Sequence, residues 1–201
     1  MKKLSLKFYS RRDVVTIARD LIGKILITNF DGIRTSGRIV ETEAYVSLID
    51  KASHSFGGKR TDRNEHMYSG PGTAYVYICY GMHQMFNIVT NEKNIPDAVL
   101  IRAVEPMEGI ETMMKRTGKV TPDFTLTRGP GNVGKALGIY KHHSGLNLLD
   151  ETIYLIDDGF RFDVKAIGTS SRIGVESAGM DALLPYRFYV RKNPYVSGKK
   201  S

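Results

Sequence analysis

Two glutamates in the stretch "RIVETEAYV", residues 38–46, have the chemistry to act on a substrate. The two-residue period of a β-strand would place Glu41, Glu43 and Tyr45 on the same face. A carboxylate beside an aromatic ring, just before a long polar loop, could serve as a general base that activates water. The pattern also fits an exposed edge strand with solvated glutamates, and the residues alone leave both interpretations open.

Arg102 is unusual because it lies in the otherwise apolar stretch "VLIRAV", residues 99–104. A guanidinium inside a strand needs a carboxylate or a phosphate, since burying it unpaired is costly. We therefore expect an ion pair between Arg102 and one of the two glutamates.

The stretch "GTAYVYICYGMHQMFNIVT", residues 72–90, alternates like the two strands of a hairpin, with Tyr80 and Gly81 at its tip. The Tyr80 ring either lies back on the core or reaches toward a partner. Cys79 is the single cysteine, so an internal disulfide and a cysteine-rich zinc site are excluded. Its apolar neighbours predict a small, buried core residue.

The stretch "GPGNVGKA", residues 129–136, matches the phosphate-loop pattern G-x-x-x-x-G-K. The next position should hold a hydroxyl that ligates magnesium, and Ala136 has none, which argues against NTP hydrolysis. A glycine-rich segment before a helix still presents N–H groups, so Gly131, Asn132 and Lys135 could contact a DNA phosphate. A turn followed by a packing helix explains the pattern equally well.

The histidines do not indicate a metal site. They stand at positions 54, 66, 83, 142 and 143, and none forms H-E-x-x-H or the zinc-deaminase pattern. The nucleophile motif G-x-S-x-G is also missing. We therefore expect no metal and no cofactor, and hydrolysis would depend on a carboxylate and a water.

The pattern of strands and helices that must position these residues predicts an α+β fold. No linker divides the chain, so we expect one domain over residues 1–201. We expect a curved, mostly antiparallel sheet, partly barrel-like, with packing helices and a protruding hairpin. Helices are predicted at 10–22, with Ser10 and Asp13 in capping-box spacing, at 108–116 and at 132–140. Strands are predicted at 24–30, 33–46, 72–90 as a hairpin, 98–106, 151–158, 162–175 and 186–191, with Asp31-Gly32 as a tight turn and Pro106 as a strand end.

The composition favours a polyanionic partner, with nucleic acid ahead of an anionic membrane. Lys and Arg number 29 against 21 Asp and Glu, a formal net charge of +8. There is no apolar run of about 18 residues and no apolar segment after the basic amino end. We expect no signal peptide, no transmembrane segment and a cytoplasmic location, associated with the nucleoid if the source is bacterial.

Seven segments taken together resemble the alkyladenine (3-methyladenine) DNA glycosylase family, and "ETEAY" and "YVYICYGM" are the most specific of them. They follow the family order from about residue 10 to the end. The resemblance implies a base-excision-repair enzyme that flips a nucleotide by ~180° and hydrolyses the N-glycosidic bond of an alkylated or deaminated purine. It also implies a monomer that binds double-stranded DNA from the minor groove.

The same resemblance implies roles for three residues in hydrolysis. Glu43 corresponds to the general base, Arg102 helps to position the water, and the backbone carbonyl of Ile173 supplies a third contact to that water. No lysine stands where a Schiff base would form, so the enzyme is expected to be monofunctional.

The base-binding pocket implied by the resemblance contains Tyr45, His54 and Tyr77, whose aromatic faces suit a cationic alkylated purine. The His54 backbone N–H would donate to the acceptor at purine position 6. Asn87 would crowd the exocyclic amine of guanine.

At the hairpin tip, Tyr80 corresponds to the wedge that fills the gap left by the flipped base, and Gly81 lets the turn approach the duplex. A non-catalytic protein that binds DNA lesions would keep such a wedge and pocket. The presence of both Glu43 and Arg102 speaks against that alternative.

Overall fold

The computed structural model describes residues 1–198 and confirms the α+β class. The described part contains nine strands: β1 Lys2–Lys3, β2 Ile25–Phe30, β3 Ile33–Tyr45, β4 Ala74–Cys79, β5 His83–Thr90, β6 Asp97–Glu108, β7 Ile153–Asp157, β8 Ile167–Ser170 and β9 Arg187–Val190. Its α-helices are α1 Leu6–Tyr9, α2 Val14–Asp20, α3 Ile110–Thr117 and α4 Pro130–Leu137. Short 3-10 helices lie at Phe56–Gly58, Glu65–Tyr68, Phe124–Leu126, Lys141–His143, Val164–Ala166 and Glu176–Leu183.

The strands of the described residues form one antiparallel sheet in the order β1-β7-β2-β3-β6-β5-β4, and it is not closed into a barrel. Strand β9 pairs with β3 and β8, so the sheet branches. The predicted tight turn between β2 and β3 is confirmed, with Asp31 and Gly32 at φ values of 52° and 75°. Both residues accept positive φ more readily than bulky ones do.

Strand β3 lies inside the sheet. It pairs with β6 along one side, and with β2 and then β9 along the other. The side chains of Glu41 and Glu43 are also fully buried, with exposed fractions of 0%. The interpretation of this segment as an edge strand with solvated glutamates is wrong, because β9 covers the side that the pattern leaves open.

The pairing of β3 with β6 is irregular on either side of Glu41. Ile39 lies opposite Val104 and Glu41 opposite Ala103, so the register skips Val40 on β3. The next pair is Thr42 with Ile101, and the register now skips Arg102 on β6. A β-bulge turns a side chain in a direction that regular pleating would not allow, and such bulges are common beside active sites.

Helix α2 is shorter than the sequence pattern predicts. It begins after Asp13, whose carboxylate accepts hydrogen bonds from the N–H groups of Val15 and Thr16, both at 3.0 Å. Ser10 instead follows α1 as its C-cap. The single aspartate cap thus sets the start of α2, because it satisfies two of the free N–H groups of the first turn.

Two predicted strand boundaries are also wrong. Strand β6 continues through Pro106 to Glu108, with Pro106 opposite Gly37 at a register shift that tolerates a residue without an N–H group. The predicted strand at 162–175 is confined to β8, so Ile173 lies in a loop.

Helix α4 packs closely on strand β5 at Gln84, near the tip of the β4–β5 hairpin. A Cβ atom added to Gly134 would lie 2.3 Å from the Gln84 carbonyl oxygen, so only glycine allows this approach. Val133, Ala136 and Leu137 of the same helix are fully buried in the main core. Within residues 1–198, none of the helices has the length and apolarity needed to cross a membrane.

Candidate active site

A cavity of about 600 Å³ opens where the β4–β5 hairpin, the loop after β3 and the start of α4 meet. Its size falls in the range of small-molecule sites and is ample for one nucleobase. The side chains that line it include Tyr45, His54, Arg63, Tyr75, Tyr77, Tyr80, Asn87, Arg102 and Ile173. The cavity thus brings together residues from four separate parts of the sequence.

The Glu43 carboxylate lies directly beneath the cavity wall. Its Oε2 accepts a hydrogen bond from the Tyr45 hydroxyl at 2.8 Å, and its Oε1 accepts one from the Ile173 N–H at 2.8 Å. The Arg102 Nη1 lies 3.2 Å from Oε1. All three partners line the cavity, whereas Glu43 itself does not. A carboxylate has about four lone-pair sites, so one further acceptor position remains for a water.

Arg102 divides its guanidinium between the two glutamates. Its Nε donates to Glu41 Oε1 at 2.9 Å, while Nη1 is paired with Glu43. The predicted ion pair is confirmed, and it involves both carboxylates. Burial disfavours the charged form of Arg102, but Glu43 and Glu41 outweigh burial and raise its pKa. The bulge at Arg102 accounts for this placement, because it lets one side chain reach both partners.

Glu41 is held by two groups that sequence reasoning did not connect with the site. Arg187 on β9 donates Nε to Glu41 Oε1 at 2.7 Å, and the Ser197 N–H donates to Oε2 at 2.7 Å. The Ser197 hydroxyl also accepts a hydrogen bond from Arg102 Nη2 at 3.1 Å. Arg187 carries a recognisable signal, a charge in the apolar stretch "YRFYV", whereas Ser197 carries none.

The aromatic wall of the cavity consists of His54, Tyr75 and Tyr77. The rings of His54 and Tyr77 meet edge to face with centroids 4.5 Å apart, and those of Tyr75 and Tyr77 are 5.6 Å apart. A hydrogen bond of 2.8 Å joins His54 Nδ1 to the Tyr75 hydroxyl. Tyr75 was not predicted, although its two-residue spacing from Tyr77 was a signal for a shared strand face.

Burial, and then the charges of Arg63 and Lys59, lower the pKa of His54 to about 4. The imidazole is therefore neutral at physiological pH. Burial also raises the pKa of Tyr77 to about 12, so both groups present uncharged rings.

Tyr45 lies against a buried ion pair that joins two loops. The Arg172 guanidinium is 4.8 Å from the centre of the Tyr45 ring and donates Nη2 to Asp50 Oδ1 at 2.8 Å. Burial, and then the charge of Glu43, raise the pKa of Tyr45, so its hydroxyl stays protonated and able to donate. Since Ile173 follows Arg172, this pair also fixes the N–H that binds Glu43.

Asn87 lies on β5, on the floor of the cavity. Its side-chain amide donates to the carbonyl oxygens of Tyr75 at 3.2 Å and Met85 at 3.1 Å. The side chain is almost fully buried and held in one orientation.

Tyr80 stands out from the molecule at the hairpin tip, with 87% of its surface exposed. The alternative in which its ring lies on the core is wrong. Tyr80 and Gly81 have φ values of 48° and 73°, and the Met82 N–H donates to the Cys79 carbonyl at 3.2 Å. A tyrosine at positive φ is strained, and such strain is typical of functional sites.

Cys79 is half-buried and lines the cavity, so the prediction of a buried core residue is wrong. The hairpin extends past the core at this point, and its last residues therefore reach solvent.

The three candidate phosphate contacts are placed differently. Gly131 and Asn132 line the cavity, and Lys135 does not. The Asn132 amide donates to the carbonyls of Thr125 and Arg128, both at 2.9 Å, which supports a structural role for this side chain. A Cβ atom on Gly131 would lie 2.6 Å from the His83 ring, so this glycine lets α4 approach the hairpin.

No group of three or more His, Cys, Asp or Glu side chains within residues 1–198 is placed to hold a metal ion.

The family model for methylpurine-DNA glycosylase matches residues 7–194. Three similar proteins carry the provisional name 3-methyladenine DNA glycosylase. The protein from Clostridium perfringens strain 13 is 43% identical, covering 98% of this chain and 100% of the relative. The one from Desulfitobacterium hafniense strain Y51 is 44% identical, covering 99% and 100%. The one from Bacillus cytotoxicus is 41% identical, covering 92% and 95%.

Proposed function

Because this chain belongs to the methylpurine-DNA glycosylase family, whose members are hydrolases that repair alkylated bases, we propose that it excises alkylated or deaminated purines from double-stranded DNA. The class includes 3-methyladenine, 7-methylguanine and hypoxanthine. The reaction is hydrolysis of the N-glycosidic bond after the nucleotide has been flipped into the cavity.

The observation that supports this proposal most strongly is the pairing of Glu43 with Arg102 beneath an aromatic cavity. The Glu43 carboxylate contacts three groups that line the cavity: the Tyr45 hydroxyl, the Ile173 N–H and the Arg102 guanidinium. In the proposed reaction Glu43 accepts a proton from a water whose oxygen bonds to C1′. The C1′–N bond breaks and its electron pair leaves with the base.

Two neighbours would keep the Glu43 carboxylate in position during this step. The Ile173 N–H and the Tyr45 hydroxyl bind opposite oxygens, each at 2.8 Å. The contact of the Ile173 carbonyl with the water stays a prediction, and the N–H contact is an additional role for the same residue. Arg102 would help to orient the water beside the carboxylate.

The cavity would receive the flipped base between Tyr45 on one side and His54 with Tyr77 on the other. The His54 backbone N–H would select an acceptor at purine position 6, and Asn87 would exclude the exocyclic amine of guanine. The fixed orientation of the Asn87 amide supports this assignment, because a rigid group discriminates by shape.

The exposed Tyr80 ring supports the role of a wedge that enters the minor groove and replaces the flipped base. We expect the protein to act as a monomer, with Gly131, Asn132 and Lys135 near the DNA backbone. The prediction for Lys135 rests on its exposed position on α4.

A direct test uses a duplex that contains a single hypoxanthine, incubated with the protein without metal or nucleotide and then heated in alkali. Strand cleavage only after alkali is the expected result, because a monofunctional enzyme leaves an intact abasic strand. Cleavage without alkali would contradict the monofunctional assignment, and no abasic product from any lesion of the class would contradict the proposal.

One observation favours the alternative of a non-catalytic lesion-binding protein. Glu43 is completely buried and does not itself line the cavity. Tight binding of lesion duplexes without formation of abasic sites would establish that alternative.

A further inference from the structure

One guanidinium, that of Arg172, contacts the surroundings of both oxygens of the Glu43 carboxylate. Oε1 accepts from the Ile173 N–H and Oε2 from the Tyr45 hydroxyl, both at 2.8 Å. Ile173 directly follows Arg172 in the chain. The Arg172 Cζ lies 4.8 Å from the centre of the Tyr45 ring, and its Nη1 donates at 2.9 Å to the carbonyl of Ala44, the residue between Glu43 and Tyr45. Arg172 is therefore linked to both donors that bind Glu43 and to the strand that carries it.

The Arg172 guanidinium is itself fixed from several directions. Asp50 accepts hydrogen bonds from Nη2, at 2.8 Å, and from Nη1, and the Asp181 carbonyl accepts another from Nη2 at 2.9 Å. The Tyr186 ring centre lies 5.3 Å from Cζ. The side chains of Arg172 and Asp50 are 0% and 1% exposed. A group held in this way cannot shift without breaking several contacts, so its orientation is set before any DNA binds.

Stability alone does not explain this arrangement. The Arg172 Nε is buried and finds no acceptor among residues 1–198, and a buried N–H without a partner destabilises the fold. Burial disfavours the charged form of Arg172, but the hydrogen bond with Asp50 and the charges of Asp50, Tyr45 and Glu43 outweigh burial and raise its pKa. An unsatisfied N–H retained beside a candidate catalytic carboxylate is typical of a group kept for its geometry.

We propose that Arg172 is a positioning residue for the attack of water on C1′, an inference that rests on the proposed glycosylase function. It holds the Ile173 N–H and the Tyr45 hydroxyl against opposite oxygens of Glu43, so the carboxylate keeps one orientation toward the water. A displacement of about 1 Å in a reacting group can lower a rate by ~10²-fold. Arg172 does not line the cavity, so it acts through Glu43 and not by touching the nucleotide.

Arg172→Lys tests this role, because it keeps the positive charge beside Asp50 but loses the flat guanidinium that reaches several acceptors at once. The single-turnover excision rate of hypoxanthine at saturating enzyme should fall about tenfold, while lesion-duplex affinity should change less than about twofold. Asp50→Asn removes the charge that holds Arg172 and keeps the side-chain shape, so it is the second variant and should give the same pattern. Thermal unfolding checks that each variant is folded in the assay.

Arg38→Lys is the matched control. Arg38 Nη1 and Nη2 donate to Asp158 at 3.1 and 2.7 Å, and its Cζ lies 4.2 Å from the centre of the Phe160 ring. The same substitution therefore removes a similar fork and ring contact, and neither Arg38 nor Asp158 lines the cavity. The excision rate should stay at the wild-type level even where the two lysine variants lose similar unfolding free energy.

A combination with Tyr45→Phe, which removes the hydroxyl bound to Oε2, separates positioning from a general effect on the fold. If Arg172 acts through the donors that bind Glu43, the rate loss in the double variant should be smaller than the product of the two single losses. Losses that multiply, a wild-type rate in Arg172→Lys, or an equal loss in Arg38→Lys would overturn the inference. A wild-type protein that excises no lesion of the class would instead overturn the proposed function.

Discussion

At the scale of single residues, the site depends on charges that are buried but paired. Glu43 and Arg102 are both almost inaccessible to solvent and contact each other at 3.2 Å. Removing one partner of such a pair is strongly disruptive, because the other charge is left without compensation. Substitutions that retain shape are therefore the informative ones.

Glu43→Gln should reduce the excision of hypoxanthine by about 10²–10⁴-fold, the usual contribution of a general base. Lesion-duplex affinity should change little, because Gln retains the shape of the side chain and one acceptor oxygen. Single-turnover rates and binding titrations check the two parts separately. Glu65→Gln, at an exposed glutamate that pairs with Arg60, serves as the control. Retained turnover in the Glu43 variant would reject the assignment of the base.

His54 should make the fold less stable in mild acid. Its pKa in the folded protein is about 4, below the ordinary value of 6.5, so the unfolded chain binds the proton first as the pH falls. Stability is therefore lost between pH 6.5 and pH 4. Between pH 7 and pH 5 we expect His54 to account for about 1–2 kcal/mol of lost unfolding free energy.

Denaturant unfolding of the wild type and of His54→Gln at both pH values measures this difference. The variant should lose less stability on acidification, since glutamine does not titrate. His142→Gln, at an exposed histidine, is the control. Identical pH dependence in the wild type and the His54 variant would contradict the burial argument.

At the scale of elements, the segment after β9 packs against the buried charged residues of the active site. Ser197 contacts Glu41 and Arg102, and a Cβ atom on Gly198 would lie 2.6 Å from Ile173 Cδ1. The same short segment thus contacts Arg102 and Ile173, which both bind the Glu43 carboxylate. The bulge in β6 and this segment together decide where the Arg102 guanidinium points.

Ser197→Ala should slow excision by about three- to thirtyfold, in line with the loss of one or two hydrogen bonds to charged groups. Lesion-duplex affinity should change less than the rate. The Ser197 hydroxyl contacts Arg102 and Glu41, and Ser197 does not line the cavity that would hold the base. Ser197→Thr should restore most of the rate by returning the hydroxyl.

Ser170→Ala is the matched control for that variant. The Ser170 hydroxyl accepts from Arg187 at 3.0 Å but has no contact with Arg102. If Ser170→Ala and Ser197→Ala slow excision equally, the slower rate would come from a loss of contacts around Arg187 or of overall stability. The proposed role of Ser197 in positioning Arg102 would then be wrong.

At the scale of the whole molecule, the net charge of +8 should govern the attraction to DNA. Several cations are already used inside the protein, as in the pairs of Arg38 with Asp158 and Arg172 with Asp50. The charge that acts on DNA is therefore carried by the exposed remainder.

Duplex affinity should fall linearly with salt on a log–log plot, with a slope of roughly −0.9 for each phosphate contacted. Lys135→Gln should make that slope shallower by about one contact if its side chain meets a phosphate. Titrations at several salt concentrations measure both slopes. A slope that is the same in the variant would remove Lys135 from the DNA interface.

Local pattern was sufficient for much of the architecture and for the choice of candidate residues. The Asp31-Gly32 turn, the hairpin of residues 72–90 and the ion pair of Arg102 follow from short-range rules of backbone conformation and charge burial, and the structure agrees with all three. The family likeness named Glu43 and Tyr80 because their surrounding motifs are contiguous in the chain.

Only the tertiary structure decided which surfaces of these residues are covered. Strand β9 covers Glu41 with Arg187, and the two register shifts between β3 and β6 let Arg102 reach both glutamates. Ser197 binds Glu41 although the two residues are 156 positions apart in the sequence. Likewise, Arg63 meets the Tyr77 ring only because its loop folds over the edge of the sheet. Such contacts join distant parts of the chain, and no local period or motif carries information about them.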